Sequence, residues 1–312
     1  MPIGYLMLVG ALLGFAMLGI FHKVADHRTC RPQAIALMLF FWAGIFTGTY
    51  TFLRDPNDLH IPLKVLLIGS VGGGLSAVAI FTFQTGLKFG KISTSWLVLN
   101  LSMSLPILLS LCFFGEKLNW IKVTGIALVL SAIVMMWCDK KNDLEKAGIQ
   151  VDGALAGHHT KWLLLMILAF FANGLSAATI KVLVQAGLKD YTWQFYTILY
   201  WMAFILTAAF SMLARNFPHR REIATGFVMA IGSVAGNVLI TLALGHGVEA
   251  AVAFPVGNGG SLTLVVLAGI LFFKERVHPI GRFGIVCGIA AILLLVMEPQ
   301  LLKFFHPHTT SR

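Results

Sequence analysis

Apolar residues run along this chain in blocks, separated by short polar breaks. A helix crossing the roughly 30 Å hydrocarbon core of a bilayer needs about 20 predominantly apolar residues. Marking such blocks predicts ten helices, at 3–21, 33–53, 64–86, 92–114, 120–138, 161–184, 192–214, 223–245, 250–272 and 279–298. The breaks carry helix stoppers, as in Asp55-Pro56-Asn57-Asp58 and Asn216-Phe217-Pro218-His219. The one long polar stretch, 139–160, falls between the fifth and sixth blocks. This divides the chain into a five-helix unit at 1–138, a linker at 139–160, a second five-helix unit at 161–300 and a tail at 301–312. The first block has no basic leader and is followed by further spans, so it reads as a transmembrane helix rather than a cleaved signal.

The two units repeat each other. A shift of 159 positions superposes them without a gap from 73 to 133, carrying Glu116 onto Glu275, Gly125-Ile126 onto Gly284-Ile285 and Gly86 onto Gly245. The same shift carries Trp42 onto Trp201. Apolar sequences match one another cheaply, so the weight rests on the Glu, Gly and Trp coincidences in one register. Each unit has an odd number of helices, so the second enters the membrane from the opposite side. The fold expected is an all-α integral membrane protein, ten transmembrane helices in two five-helix inverted-topology repeats, an arrangement used by transporters.

Composition agrees: 58% of the 312 residues are hydrophobic and 12% charged, with mean hydropathy +0.84. Soluble domains carry about 25% charged residues, so a soluble or disordered chain is excluded. The net charge of +10 lies in the breaks between spans, where Lys and Arg orient membrane proteins, and does not indicate a nucleic-acid partner. Cys30, Cys112, Cys138 and Cys287 are scattered singly, which indicates neither a disulfide framework nor a metal site.

The run Thr85-Gly86-Leu87-Lys88-Phe89-Gly90-Lys91-Ile92-Ser93-Thr94-Ser95, then Pro106, Phe114-Gly115-Glu116-Lys117-Leu118 and Gly125-Ile126, resembles the EamA domain of the drug/metabolite transporter superfamily. A second copy runs from Leu244-Gly245-His246-Gly247 through Phe273-Lys274-Glu275-Arg276 to Gly284. The second copy departs from the first in having Val265 where Pro106 stands, with Pro255 nearer the start of its helix. The resemblance implies a ten-helix exporter of amino acids or other small metabolites in the cell membrane, with both termini in the cytoplasm. Cousins carry nucleotide-sugars, choline or drugs. The positive-inside rule points the other way, since Lys140, Lys141, Lys146 and Lys161 lead an excess on the face opposite the termini.

Polar groups in hydrocarbon are costly and usually face the bundle interior. Those near span centres are Asn100, Asn173, Asn237, Asn258 and Ser261, with Trp42, Trp96 and Trp201 as aromatic walls. Asn both donates and accepts, so several around one cavity suit the carboxylate and ammonium of a zwitterion. Each Asn equally suits a hydrogen bond to a neighbouring helix. Pro255-Val256-Gly257-Asn258-Gly259-Gly260-Ser261 weakens the ninth helix near mid-depth, and irregular backbone there is tolerated mainly where it lines a cavity. Gly10/Gly14, Gly44/Gly48, Gly73/Ala77 and Gly232/Gly236 have the spacing that lets helices approach closely.

The spans carry no Asp or Glu away from their ends. Glu116 and Glu275 mark matching helix ends as structural acids, and Glu249 opens the ninth helix. Proton-coupled carriers usually hold an embedded acid, so a substrate gradient is the expected energy source. No nucleophile–base set, phosphate loop or metal cluster is present, so no enzymatic activity, cofactor or metal is expected. The expectation is a monomeric exporter of small polar or zwitterionic metabolites working by alternating access, with membrane lipid as its other contact. The alternatives are an importer or exchanger of nucleotide-sugars or phosphorylated compounds, for which Lys23 and Lys181 are the available cations, and a membrane scaffold that transports nothing.

Overall fold

The computed structural model describes residues 3–28, 30–54, 61–87, 98–99, 102–113, 115, 119–146, 156–213, 217–273 and 279–297. Its helices are α1 (Ile3–His27), α2 (Pro32–Arg54), α3 (Leu63–Leu87), α4 (Ser104–Phe113), α5 (Trp120–Lys146), α6 (Ala156–Gln185), α7 (Thr192–Leu213), α8 (Arg220–Gly245), α9 (Ala250–Phe254), a π-helical turn (Pro255–Gly259), α10 (Gly260–Phe273) and α11 (Pro279–Val296). Among the described residues there is no strand. By length and composition α1, α2, α3, α6, α7 and α8 each supply a membrane span, while the remaining apolar helices are shorter among the described residues.

Local chemistry sets the helix ends. Gly187 and Gly247 take φ of +73° and +86°, which glycine adopts without a Cβ penalty. Behind them Leu188 N donates to Leu183 O at 3.2 Å and Val248 N to Ala243 O at 3.1 Å. These six-to-one bonds satisfy the last carbonyls of α6 and α8. At the start of α8 the Glu222 carboxylate accepts from His219 N at 2.7 Å, so the helix begins at Arg220, before the 223 read from hydropathy. Pro106 lies in the first turn of α4, where a missing N–H costs nothing; the expected start of that span at 92 lies outside the described residues.

Two further departures from the hydropathy reading have physical causes. Helix α5 runs on through Lys146 and α6 begins at Ala156, so helix occupies both ends of the stretch read as a linker. Lys, Leu and Glu at 140–146 are good helix formers, and charge ends a span without ending a helix. The ninth span is not broken at its proline. Pro255 lacks the N–H that would bond back to Ala251, and the backbone continues through one wider π turn into α10.

The spans close into a ring. Helix α1 packs on α8, α8 on α2, α2 on α7, α7 on α3, α3 on α6, α6 on α4, α4 on α9, and α10 with the π turn returns to α1. Helices α5 and α11 pair with each other, as where Leu295 covers Gly125, and attach at the α9–α10 side. Exchanging the first five spans with the last five maps this list of neighbours onto itself. Helices α1 and α8 run antiparallel, since Gly4 meets Ala243 and Gly14 meets Gly236. Helices α3 and α6 do the same, with Gly72 against Thr179 and Gly86 against Met166. Helices α2 and α8 run parallel, from Arg31 with Glu222 to Trp42 with Phe227. The buried core is drawn largely from α1, α2, α7, α8 and α9, while Leu6, Leu13, Leu164, Leu168 and Leu213 are exposed, as suits helices whose solvent is lipid.

Candidate functional site

The polar side chains inside the ring are grouped by helix pair. On α7, Tyr196 and Tyr200 are one turn apart, 1% and 2% exposed, with ring centroids 5.8 Å apart. Both point to a stripe on α8 made of Ser233, Asn237 and Thr241, which repeats every four residues and so shares one helix face. Tyr196 Oη lies 2.8 Å from Asn237 O and 2.6 Å from Thr241 Oγ1. Thr241 Oγ1 lies 2.9 Å from the same carbonyl. Two hydroxyl protons serve these three contacts, so one hydroxyl donates to the other and the second donates to the carbonyl. Asn237 Nδ2 donates to Ser233 O at 2.9 Å and to Tyr200 Oη at 3.1 Å. That uses both amide protons; Asn237 Oδ1, on a half-buried residue, has no partner among the described residues.

The other asparagines belong to different joints. Asn173 Nδ2 donates to Ser102 Oγ at 2.7 Å, tying α6 to the residues just before α4. Asn258 lies in the π turn, half-buried, and its Nδ2 makes one long bond to Phe254 O at 3.4 Å. Ser261 Oγ donates to Asn258 O at 2.7 Å, closing the same turn. Gly257 in that turn packs toward Ile240 and Phe15, and Phe15 also covers Gly236, one residue from Asn237. Trp96, Asn100, Glu116 and Glu275 lie outside the described residues, as does the side chain of Lys23. Lys181 is buried in α6 at 6% exposure.

Trp42 and Trp201 come together through aromatic contacts and not through the polar network. Phe41 meets both, with centroids 5.3 Å and 6.2 Å away. Trp42 also meets Phe46 and Phe227, and Trp201 meets Phe204. Trp201 rests on Gly44, where a Cβ would come within 3.2 Å of the indole. The Gly44/Gly48 spacing therefore seats a ring rather than a helix backbone, whereas Gly14, Gly232 and Gly236 do bring α1 and α8 into backbone contact.

Two ion pairs stand at opposite ends of α8. Arg31, just before α2, donates from its backbone N and Nε to Glu222 Oε1 at 2.9 and 3.0 Å and from Nη2 to Oε2 at 2.9 Å. The Glu222 hydrogen bond raises the pKa of Arg31, so the guanidinium stays charged. Past the other end of α8, Glu249 pairs with Lys122 Nζ at the start of α5.

Tyr196, Tyr200, Ser233 and Thr241 are absent from the sequence-derived set. Their signal is the four-residue spacing of hydroxyls and an amide along helices that are otherwise apolar.

A family model of EamA-like transporters matches residues 2–138. No curated protein sequence matches the chain. A solved structure, described only as a crystal structure of a protein, superposes with a TM-score of 0.71 over 97% of this chain and 98% of its own, at 17% identity. At that identity the likeness is one of fold.

Proposed function

This chain carries an EamA-like transporter domain over residues 2–138, and on that premise we propose that it is an alternating-access carrier exporting small polar or zwitterionic metabolites such as amino acids. It is a multi-pass integral membrane protein of a transporter family. Three features support the finer reading. The ring of neighbours maps onto itself when the halves are exchanged, which suits inverted repeats that rock about a shared axis. The ring closes within one chain, which suits a monomer in the cell membrane. The interior holds an amide, two phenols and two hydroxyls with no charged group bonded among them.

The last observation carries the substrate class. Asn237 Oδ1 is left to accept from an ammonium, and the Tyr200–Ser233 pair, which uses one of its two hydroxyl protons in its mutual bond, has the other for a carboxylate oxygen. A multiply charged anion would need cations in the same place, and none bonds to this network. Asn173, Asn258 and Ser261 complete the proposed lining from α6 and the π turn. Trp42 and Trp201 sit apart from this network, in the aromatic cluster around Phe41.

Efflux from proteoliposomes loaded with labelled amino acids, sugars and amines tests the reading. Asn237→Ala is expected to lower transport by roughly tenfold or more while the protein elutes as a folded monomer. Wild-type efflux is expected to be indifferent to a pH gradient. Full transport by Asn237→Ala would remove the α7–α8 network from the site, and transport by no member of the panel would overturn the substrate class.

A further inference from the structure

Helix α8 has a second face that the transport reading does not use. Ala224 is nine residues from Ser233, about two and a half turns, so the two point in opposite directions. On the Ala224 side Arg220, Ala224, Phe227 and Ile231 form an exposed stripe. Between this stripe and α2 lies a cleft of about 420 Å³ lined by Trp42, Arg220, Ile223, Ala224, Phe227 and Val228.

The lining is graded along the membrane normal. Arg220 is the first residue of the apolar span that length and composition assign to α8, and a charge at a span end belongs at the water boundary. Ile223 and Ala224 are one turn deeper, and Phe227 and Val228 are two turns deeper, about 10 Å below Arg220 at 1.5 Å per residue. Arg220 and Arg221 are both exposed and have no ion-pair partner among the described residues, while the neighbouring Arg31 charge is met by Glu222. At the α2 wall the Trp42 ring completes the cleft and stacks edge-on against Phe227.

We propose that this cleft holds one anionic phospholipid. Its phosphate sits at Arg220, and one acyl chain lies along Ile223, Ala224, Phe227 and Val228 against the Trp42 ring. The positive rim above an apolar trough fits a molecule with a negative head and a hydrocarbon tail, and basic pockets between transmembrane helices bind such head groups. A soluble metabolite would leave the apolar trough empty. This inference is independent of the substrate site and stands or falls separately from it.

The test is tryptophan fluorescence of the full-length protein in neutral detergent, titrated with phosphatidylglycerol or phosphatidylcholine carrying brominated acyl chains. Brominated phosphatidylglycerol is expected to quench a component that is missing from Trp42→Phe. Arg220→Gln is expected to raise the half-quenching concentration at least tenfold, and Phe227→Ala to raise it less. Inorganic phosphate at the same concentration is expected not to compete. Equal quenching by the two lipids in wild type and Arg220→Gln would overturn the proposal, because it describes an ordinary lipid annulus. It is equally overturned if Trp42→Phe keeps the full quench, if inorganic phosphate competes, or if light scattering shows a dimer that Phe227→Ala dissociates.

Discussion

Helices α1 and α8 meet backbone on backbone, whereas α3 and α6, the pair that replaces them when the halves are exchanged, meet through hydroxyls. In the first seam a Cβ on Gly14 would lie 2.6 Å from Gly236 N and 2.9 Å from Gly232 O. In the second, Ser76 Oγ lies 2.7 Å from Ser176 Oγ, and Ser176 Oγ donates to Gly72 O at 2.8 Å. The shift of 159 that relates the seams puts Asn173 in the place of Gly14 and Ala77 in the place of Gly236. The first seam thus brings backbone against backbone at Gly14, while the second is bridged by serine hydroxyls. A contact between backbones has nothing to move aside, while a hydroxyl has rotamers and alternative acceptors. On the transport reading α1 and α8 then move as one body, and sliding is concentrated between α3 and α6.

The sharpest way to break this contrast is Gly14→Val. Its side chain would meet the Gly236 and Gly232 backbones, which cannot rotate away. Overpacking of this kind typically costs about 1–3 kcal/mol, and the rigid partners place this variant at the top of that range. Thermal unfolding in detergent is expected to show a clear drop in melting temperature. An unchanged melting temperature would mean that the seam has room, and the contrast with α3 and α6 would be lost.

Much of the fold can be read from the sequence because hydropathy reports the solvent. The block pattern, the register relating the halves and the close approach at Gly10/Gly14 and Gly232/Gly236 need only composition and spacing. The facing of each helix is harder, because lipid tails are as apolar as the protein interior and provide no hydrophobic contrast between inner and outer faces. Trp42 and Trp201 lie at mid-depth in the sequence, yet only packing shows that their partners are Phe41, Phe46, Phe204 and Phe227. Tyr196 and Tyr200 do not stand out among the aromatic residues of α7, and only their bonds with Asn237 distinguish them. The π turn at Pro255 is half legible: the residues reveal a weakened helix, and the neighbouring Ile240 and Phe15 keep it continuous.

A smaller effect is expected at the hydroxyl seam itself. Ser176→Ala removes the bond to Gly72 O and the pairing with Ser76 without leaving a cavity larger than an oxygen. Interhelical hydrogen bonds in membranes average about 0.6 kcal/mol, with about 1.7 as the upper end. A double-mutant cycle with Ser76→Ala is expected to return a coupling of that average size. Coupling near zero would show that the two serines are held together by the packing around them, and the seam would then resemble the glycine seam after all.

The smallest change is expected from Gly86→Ala, at the end of the same α3–α6 seam. The added methyl meets the terminal methyl of Met166, the far end of an unbranched chain with three rotatable bonds. Helix propensity favours Ala over Gly by about 1 kcal/mol, which opposes the small cost of moving Met166. The two terms have opposite signs and similar size, so the melting temperature is expected to stay within a degree or two of wild type, about the shift that a few tenths of a kcal/mol produces. Gly236→Ala makes the complementary measurement on the other seam. There the new methyl would stand 2.6 Å from the Phe15 ring, a flat side chain already wedged between α8 and the π turn, and the same propensity gain is expected to be overwhelmed. If both glycines tolerate Ala equally, the two seams differ in chemistry but not in tightness, and rigidity cannot be assigned to α1 and α8 on packing grounds.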